Sequence, residues 1–221
     1  QALGATAVWV TPPVRNQWHD PMLGYWGYHG YWAQHFKQVD PHLGSLGDYR
    51  RLSDALHRRG MYLVQDIVVN HTGNHFEYGP RWSPKDPARD YVPNPRSRPA
   101  AAPTQSPFDL NDPRKPAHRR AAIYHWTPAI RDVTRRDEEL DFQTSGLDDL
   151  NTENPVVRRA LRDSHGWWIR EAGVDAFRVD TAYHVPPAFF EDFIHSRDRR
   201  VPGIAEVARR TGRRDFLVFG E

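Results

Sequence analysis

The stretch Tyr62-Leu63-Val64-Gln65-Asp66-Ile67-Val68-Val69-Asn70-His71 decides the fold. Its first eight residues form a nearly continuous apolar run, rich in β-branched side chains and too short for a buried helix. Such a run reads as a strand of a parallel sheet covered on both faces. Three further runs, at 5–10, 176–179 and 216–219, have the same character. Helical patterns lie between them. Residues 48–59 place Leu52, Ala55 and Leu56 on one stripe, with Gly60 where a C-terminal cap belongs. Residues 155–172 open with Asn154 as N-cap and Pro155 at the first helical position. They carry Val157, Leu161, Trp168 and Ala172 on one face and close at Gly173. Two more helices are expected, at 188–194 and 204–210. Strand alternating with helix is the signature of βα units, so the expected fold class is α/β.

Residues 72–145 break this rhythm. They are rich in proline, lack periodicity and are too long for a plain connector. They read as an inserted domain with a small core from Tyr78, Trp82, Tyr91, Phe108, Tyr124 and Trp126; the competing reading is a disordered linker. The expected division is therefore 1–71, 72–145 and 146–221.

Composition narrows the function classes. Of 221 residues, 38% are apolar and 26% charged, and aromatics reach 12%, which argues for a globular chain over a disordered one. No stretch approaches the roughly 18 apolar residues of a spanning helix. The net charge is +2, and the Arg residues are interleaved with acids, so no basic stripe suggests a nucleic-acid partner. The absence of cysteine removes disulfides, thiolate metal sites and Cys nucleophiles. The chain opens on Gln1-Ala2-Leu3-Gly4, which reads as the last turn of a helix, and closes on Glu221 at a strand end. A fragment cut at both ends is the expectation.

The chemistry-bearing residues cluster at strand C-termini, where parallel α/β folds build their sites. Period two puts Asp66, Val68 and Asn70 on one side of their strand and Arg178 and Asp180 on one side of theirs. Arg178 is expected to hold Asp180 ionised, as a carboxylate nucleophile requires. Glu221, flanked by Phe219 and Gly220, is expected to sit in an apolar setting that raises its pKa and suits an acid. Two carboxylates with separated pKa values are what glycoside hydrolysis uses. Residues 18–32 hold Trp18, Tyr25, Trp26, Tyr28, Tyr31 and Trp32 with His29, either flat platforms for sugar rings or ordinary core packing.

Together these residues resemble the α-amylase family of glycoside hydrolases, often called family 13. Tyr28-His29-Gly30-Tyr31-Trp32 is similar to its aromatic segment, and 66–71 to its first hallmark region. Residues 173–184 resemble the second region, Phe219-Gly220-Glu221 the third, and Leu147-Asp148-Asp149-Leu150-Asn151 the motif closing the inserted domain B. The resemblance implies a fragment of a (β/α)8 TIM barrel, about strands two to five, with domain B after the third barrel strand. It implies a retaining hydrolase of α-1,4-linked glucans, with a transglycosylase or a non-catalytic glycan-binding relative as alternatives. Asp180 would be the nucleophile, Glu221 the general acid and base, and Arg178 the residue orienting Asp180. His29, Tyr31, Trp32, His71, Tyr183 and His184 would contact the α-glucan, and Asp66 would be a structural carboxylate. Asn70, Asp149 and the backbone oxygen of His184 would bind Ca²⁺, all with the hard oxygen ligands that ion prefers. Family habit implies secretion or a periplasmic location.

Two departures stand out. Tyr183 occupies the position where many α-amylases carry Lys, and the family's fourth hallmark, with its third catalytic Asp, is absent. The 221 residues alone are therefore expected to be inactive.

Overall fold

The computed structural model describes residues 3–221, so the helical turn expected across Gln1-Ala2-Leu3-Gly4 falls partly outside the described residues. A four-stranded, all-parallel sheet forms the frame, in the order β1 (Ala7–Val10), β2 (Tyr62–Val68), β3 (Ala176–Asp180), β4 (Leu217–Gly220). It is open, without closure into a barrel. Between the strands run α1 (Leu46–His57), α2 (Pro155–Ala172), α3 (Pro187–His195) and α4 (Ile204–Arg210). The register places Asp66 opposite Arg178, and Arg178 opposite Phe219. The polar ends of three adjacent strands thereby arrive at one edge.

The inner strands are covered as their apolar runs suggest: Leu63, Ile67, Phe177 and Val179 are buried. The outer strands are not. Trp9 is 57% exposed and Leu217 58%. An outer strand of an open sheet has a neighbour on one side only, so the apolar runs at 5–10 and 216–219 identify strands but overstate their burial.

Local chemistry sets the helix ends. Ser45 and Asp48 form a capping box at the start of α1, each side chain serving the other's backbone N–H. Asn154 accepts from the Val156 N–H at the start of α2, and Gly173 closes that helix at φ +71°, a conformation that favours glycine. The buried face of α1 differs from the expected stripe. It presents Tyr49, Ser53 and Leu56, while Leu52 is exposed. The helix is turned because the Tyr49 hydroxyl donates to Gln65 Oε1 (3.0 Å) and its ring meets Trp168 edge-on. Trp168 is the anchor of α2: it is fully buried, and its Nε1 donates to the Phe36 carbonyl at 2.8 Å. Truncating such a residue to Ala costs about 3–5 kcal/mol.

Residues 72–145 are ordered by short elements. Phe76–Tyr78 pairs antiparallel with Tyr91–Pro93, and two six-residue helices span Pro116–Ala121 and Arg136–Asp141. Phe76 is the centre of their aromatic cluster, with Tyr91, Trp126 and Tyr124 rings at 5.3, 5.5 and 5.6 Å. Phe108 meets Phe36 at 4.8 Å, so this segment shares one core with the βα units. Two pairings lie outside the expected strands: Val14–Asn16 with Ala33–Val39, and His19–Asp20 with Tyr25–Trp26. The first is hard to read because Gln34 is buried where alternation would call for an apolar residue. Its Nε2 donates to the Ala100 carbonyl at 2.9 Å.

Candidate active site

Arg178 organises the edge where the strands end. Its Nη1 donates to Asp66 Oδ2 at 2.8 Å and to Asp180 Oδ1 at 2.9 Å, and its Nη2 meets Glu221 Oε2. One guanidinium thus touches carboxylates from β2, from β3 and from the residue after β4. Two further side chains join these charges. Trp9 Nε1 and the Tyr31 hydroxyl also donate to Asp66 Oδ2, at 3.2 and 3.0 Å. The Arg178 guanidinium lies over the Trp9 ring at 5.3 Å. Trp9 was not legible as a site residue, because a tryptophan in an apolar run carries no mark distinguishing a donor from a core ring.

Electrostatics depart from expectation at Asp180. Burial raises its pKa; Arg178, His184 and His29 pull the other way, and burial wins. Asp66 behaves alike, raised by burial against Arg178 and Tyr31. Arg178 therefore offsets the cost of burying Asp180 and does not bring its pKa below the ordinary range. Burial opposes the charge on Arg178 too, but Asp66 and Asp180 outweigh it and raise its pKa. Burial, with Asp66 nearby, pushes Tyr31 up to about 12, so its hydroxyl keeps the proton it donates.

Glu221 contradicts its expected surroundings. Its side chain is 69% exposed and paired with Arg178, not enclosed by apolar groups. Phe219 and Gly220 flank it in sequence, but strand alternation and an exposed outer strand turn them away from enclosing it.

The aromatic segment divides into two layers. The His29 and Tyr31 rings stack at 5.6 Å and both are partly exposed. His29 Nδ1 accepts from the Tyr31 N–H at 3.1 Å, which leaves Nε2 as a donor toward a ligand. Trp32 lies behind them, 8% exposed and edge-on to His29 at 4.9 Å. Its expected sugar contact is corrected to one of support, because the chain turns its ring into the protein. His71 is corrected similarly. It is 1% exposed and held neutral by burial, which lowers its pKa to about 4. Nε2 lies 3.2 Å from the Tyr31 carbonyl and Nδ1 3.3 Å from Asn70 Nδ2. Both nitrogens are taken up by the protein, and His71 fixes the backbone of Tyr31 from below.

Tyr183 is 60% exposed, with the Arg136 guanidinium 4.2 Å over its ring. His184 is half-buried, its Nδ1 2.9 Å from the Glu139 carbonyl, which ties the turn after β3 to the inserted segment.

Asn70 and Asp149 are brought together: the Leu150 N–H donates to the Asn70 carbonyl at 2.9 Å, and His71 bridges to Asp149. Both side chains are buried. Asp149 Oδ1 has no hydrogen-bond partner, and the Asn70 amide turns its nitrogen to His71. An orphaned buried carboxylate oxygen, with an asparagine side chain on the paired segment, is a donor set a hard cation fits. Asp149 Oδ2 is engaged by His125 Nδ1 at 2.5 Å.

Comparison with known proteins gives the family. Residues 1–215 match the model of the alpha amylase catalytic domain. An alpha-amylase of Streptomyces lividans is 30% identical, aligned over 100% of this chain and 26% of its own length. A cyclomaltodextrin glucanotransferase of Klebsiella oxytoca is 28% identical, over 100% of this chain and 30% of that protein. Among solved structures, the alpha-amylase from Geobacillus thermoleovorans, complexed with acarbose, superposes with a TM-score of 0.67 at 29% identity. It covers 99% of this chain and 37% of that one. The chain thus spans roughly a quarter to over a third of the length of these relatives.

Proposed function

The chain belongs to the alpha-amylase family, and from that membership we propose that the protein carrying it is a retaining α-glucan hydrolase. The reading is supported by relatives that include alpha-amylases and cyclomaltodextrin glucanotransferases. The single observation that carries it is the Arg178 guanidinium held between Asp66 and Asp180 at adjacent strand ends, with Glu221 on its other nitrogen.

In this reading Asp180 attacks the anomeric carbon of an α-1,4-linked glucose unit and forms a glycosyl–Asp intermediate. Glu221 protonates the departing oxygen and then takes the proton of the attacking water, as retention requires. Arg178 keeps Asp180 aligned and offsets the cost of its buried charge. When Asp180 is consumed as an ester, Arg178 still has Asp66 as a fixed counter-charge. Tyr31 supplies a flat face beneath the sugar, and His29 Nε2 donates to one of its hydroxyls. Asn70, Asp149 and the His184 carbonyl would hold Ca²⁺, which would brace the junction of inserted segment and sheet.

Transfer of the glycosyl group to a second sugar is the alternative chemistry, favoured by the glucanotransferase relatives. In this reading the Tyr183 ring, exposed and lying under Arg136, would border the acceptor. A non-catalytic glycan-binding role is the weaker reading, since both Asp180 and Glu221 are present at the strand ends. Incubation with maltooligosaccharides separates the readings. Hydrolysis yields only shorter products, transfer yields products longer than the substrate, and binding without turnover leaves the substrate intact.

A further inference from the structure

Beside Asp149, three side chains from three segments converge. His125 follows the bridge between Tyr124 and Leu150, Asp141 ends the helix Arg136–Asp141, and Glu153 precedes the cap of α2. One ligand atom from each lies within 4.8 Å of the others. His125 Nε2 is 3.0 Å from Glu153 Oε2 and 3.9 Å from Asp141 Oδ1. Atoms bound to a zinc ion at about 2.0–2.2 Å stand roughly 3–4 Å from one another, so the cluster needs only side-chain adjustment to close on one.

A second observation, independent of that spacing, concerns the back of the imidazole. Asp149, 98% buried by its 2% exposure, sets Oδ2 at 2.5 Å from His125 Nδ1. A buried carboxylate accepting from Nδ1–H fixes that side of the ring and turns Nε2 outward, where it donates to Glu153; a bound metal would take the place of that Nε2 proton. Metal-binding histidines are oriented in this way. On the open side, His125 and Asp141 line a cavity of about 360 Å³ with Trp82, Pro87 and Phe142, which leaves room for a water as a further ligand.

We propose that His125 Nε2, Asp141 and Glu153 form a binding site for a divalent transition-metal cation, with Asp149 orienting His125. One imidazole and two carboxylates suit Zn²⁺ better than Ca²⁺, which takes oxygens alone. The cation joins the inserted segment to the start of α2, so it acts as a staple, distinct from the reacting carboxylates.

Isothermal titration of the chelator-stripped protein with ZnCl2, with metal content measured after dialysis, tests the site. One Zn²⁺ per chain is expected, unaffected by equimolar Ca²⁺, with Tm raised by about 5–10 °C at a hundredfold excess over Kd. Glu153→Gln and Asp141→Asn each weaken binding at least about tenfold, and His125→Gln abolishes it. The two acidic side chains are half-exposed, so their variants fold even where His125→Gln does not. Absence of saturable Zn²⁺ binding would overturn the site and leave a protonated imidazole bridging carboxylates. Binding unchanged in both acidic variants, or displaced by equimolar Ca²⁺, would equally overturn it.

Discussion

Arg178 Nη1 lies 2.8 Å from Asp66 Oδ2, a carboxylate with no exposed side-chain surface. The pair is register-matched across β2 and β3, and the same nitrogen reaches Asp180. On the proposed mechanism Asp66 is the fixed counter-charge of the site, and Asp180 the member that reacts. Asp66→Asn leaves Arg178 paired with Asp180 and Glu221, so it removes hydrogen bonds to a buried charge without stranding the guanidinium. A loss of about 1.5–3 kcal/mol in unfolding free energy in urea is expected, with turnover depressed alongside it. Loss of activity without loss of stability would show that Asp66 takes part in the chemistry directly.

The Tyr31 hydroxyl contributes one hydrogen bond to Asp66, and its ring contributes a face. Tyr31→Phe keeps the face, so a loss of about 1 kcal/mol, roughly fivefold to tenfold in kcat/KM, is expected. Tyr31→Ala removes both and is expected to lower kcat/KM by at least a further tenfold. Equal effects of the two variants would contradict a stacking role.

Buried histidines give the protein an acid limit. Burial lowers His165 to about 4 and His75 to about 3 from an ordinary 6.5. Between those values the unfolded chain binds more protons than the folded one, so stability is full at neutral pH and falls as pH drops. His165 alone accounts for about 3 kcal/mol lost between pH 6.5 and 4. His165→Phe gives up the bond from Nε2 to the Val68 carbonyl, so it is expected to be less stable at pH 7 yet flatter toward acid. Parallel curves for variant and parent would refute the assignment.

Chelation tests the oxygen-rich junction. EDTA is expected to lower Tm, and Ca²⁺ to restore it; in Asn70→Ala the Ca²⁺ response is expected to vanish. A full Ca²⁺ response in that variant would place the ion elsewhere.

Much of this architecture was legible in the sequence because punctuation marked it. Asn154, Pro155 and Gly173 delimit α2 to the residue, and strand ends carrying Asp66, Arg178 and Asp180 announced a polar edge inside an apolar frame. What escaped reading depends on partners distant in sequence. The buried face of α1 follows from Tyr49 meeting Gln65 and Trp168, not from its own periodicity. Ala33–Val39 hides as a strand because Gln34, at a buried position, donates to a carbonyl 66 positions away. His71 looked like a ligand-facing histidine, but only three dimensions show both its nitrogens taken up by Tyr31 and Asn70. The exposure of Glu221 likewise follows from where β4 lies in the sheet.

The central claim is that Asp180 is the nucleophile. The most direct measurement is mass spectrometry of the protein carrying this chain after reaction with a fluorosugar that forms the glycosyl intermediate quickly and releases it slowly. The account predicts one added glycosyl mass, mapped by peptide fragmentation to Asp180 and lost in Asp180→Asn. A label on another residue, or rapid turnover to product of inverted configuration with no label, would contradict it.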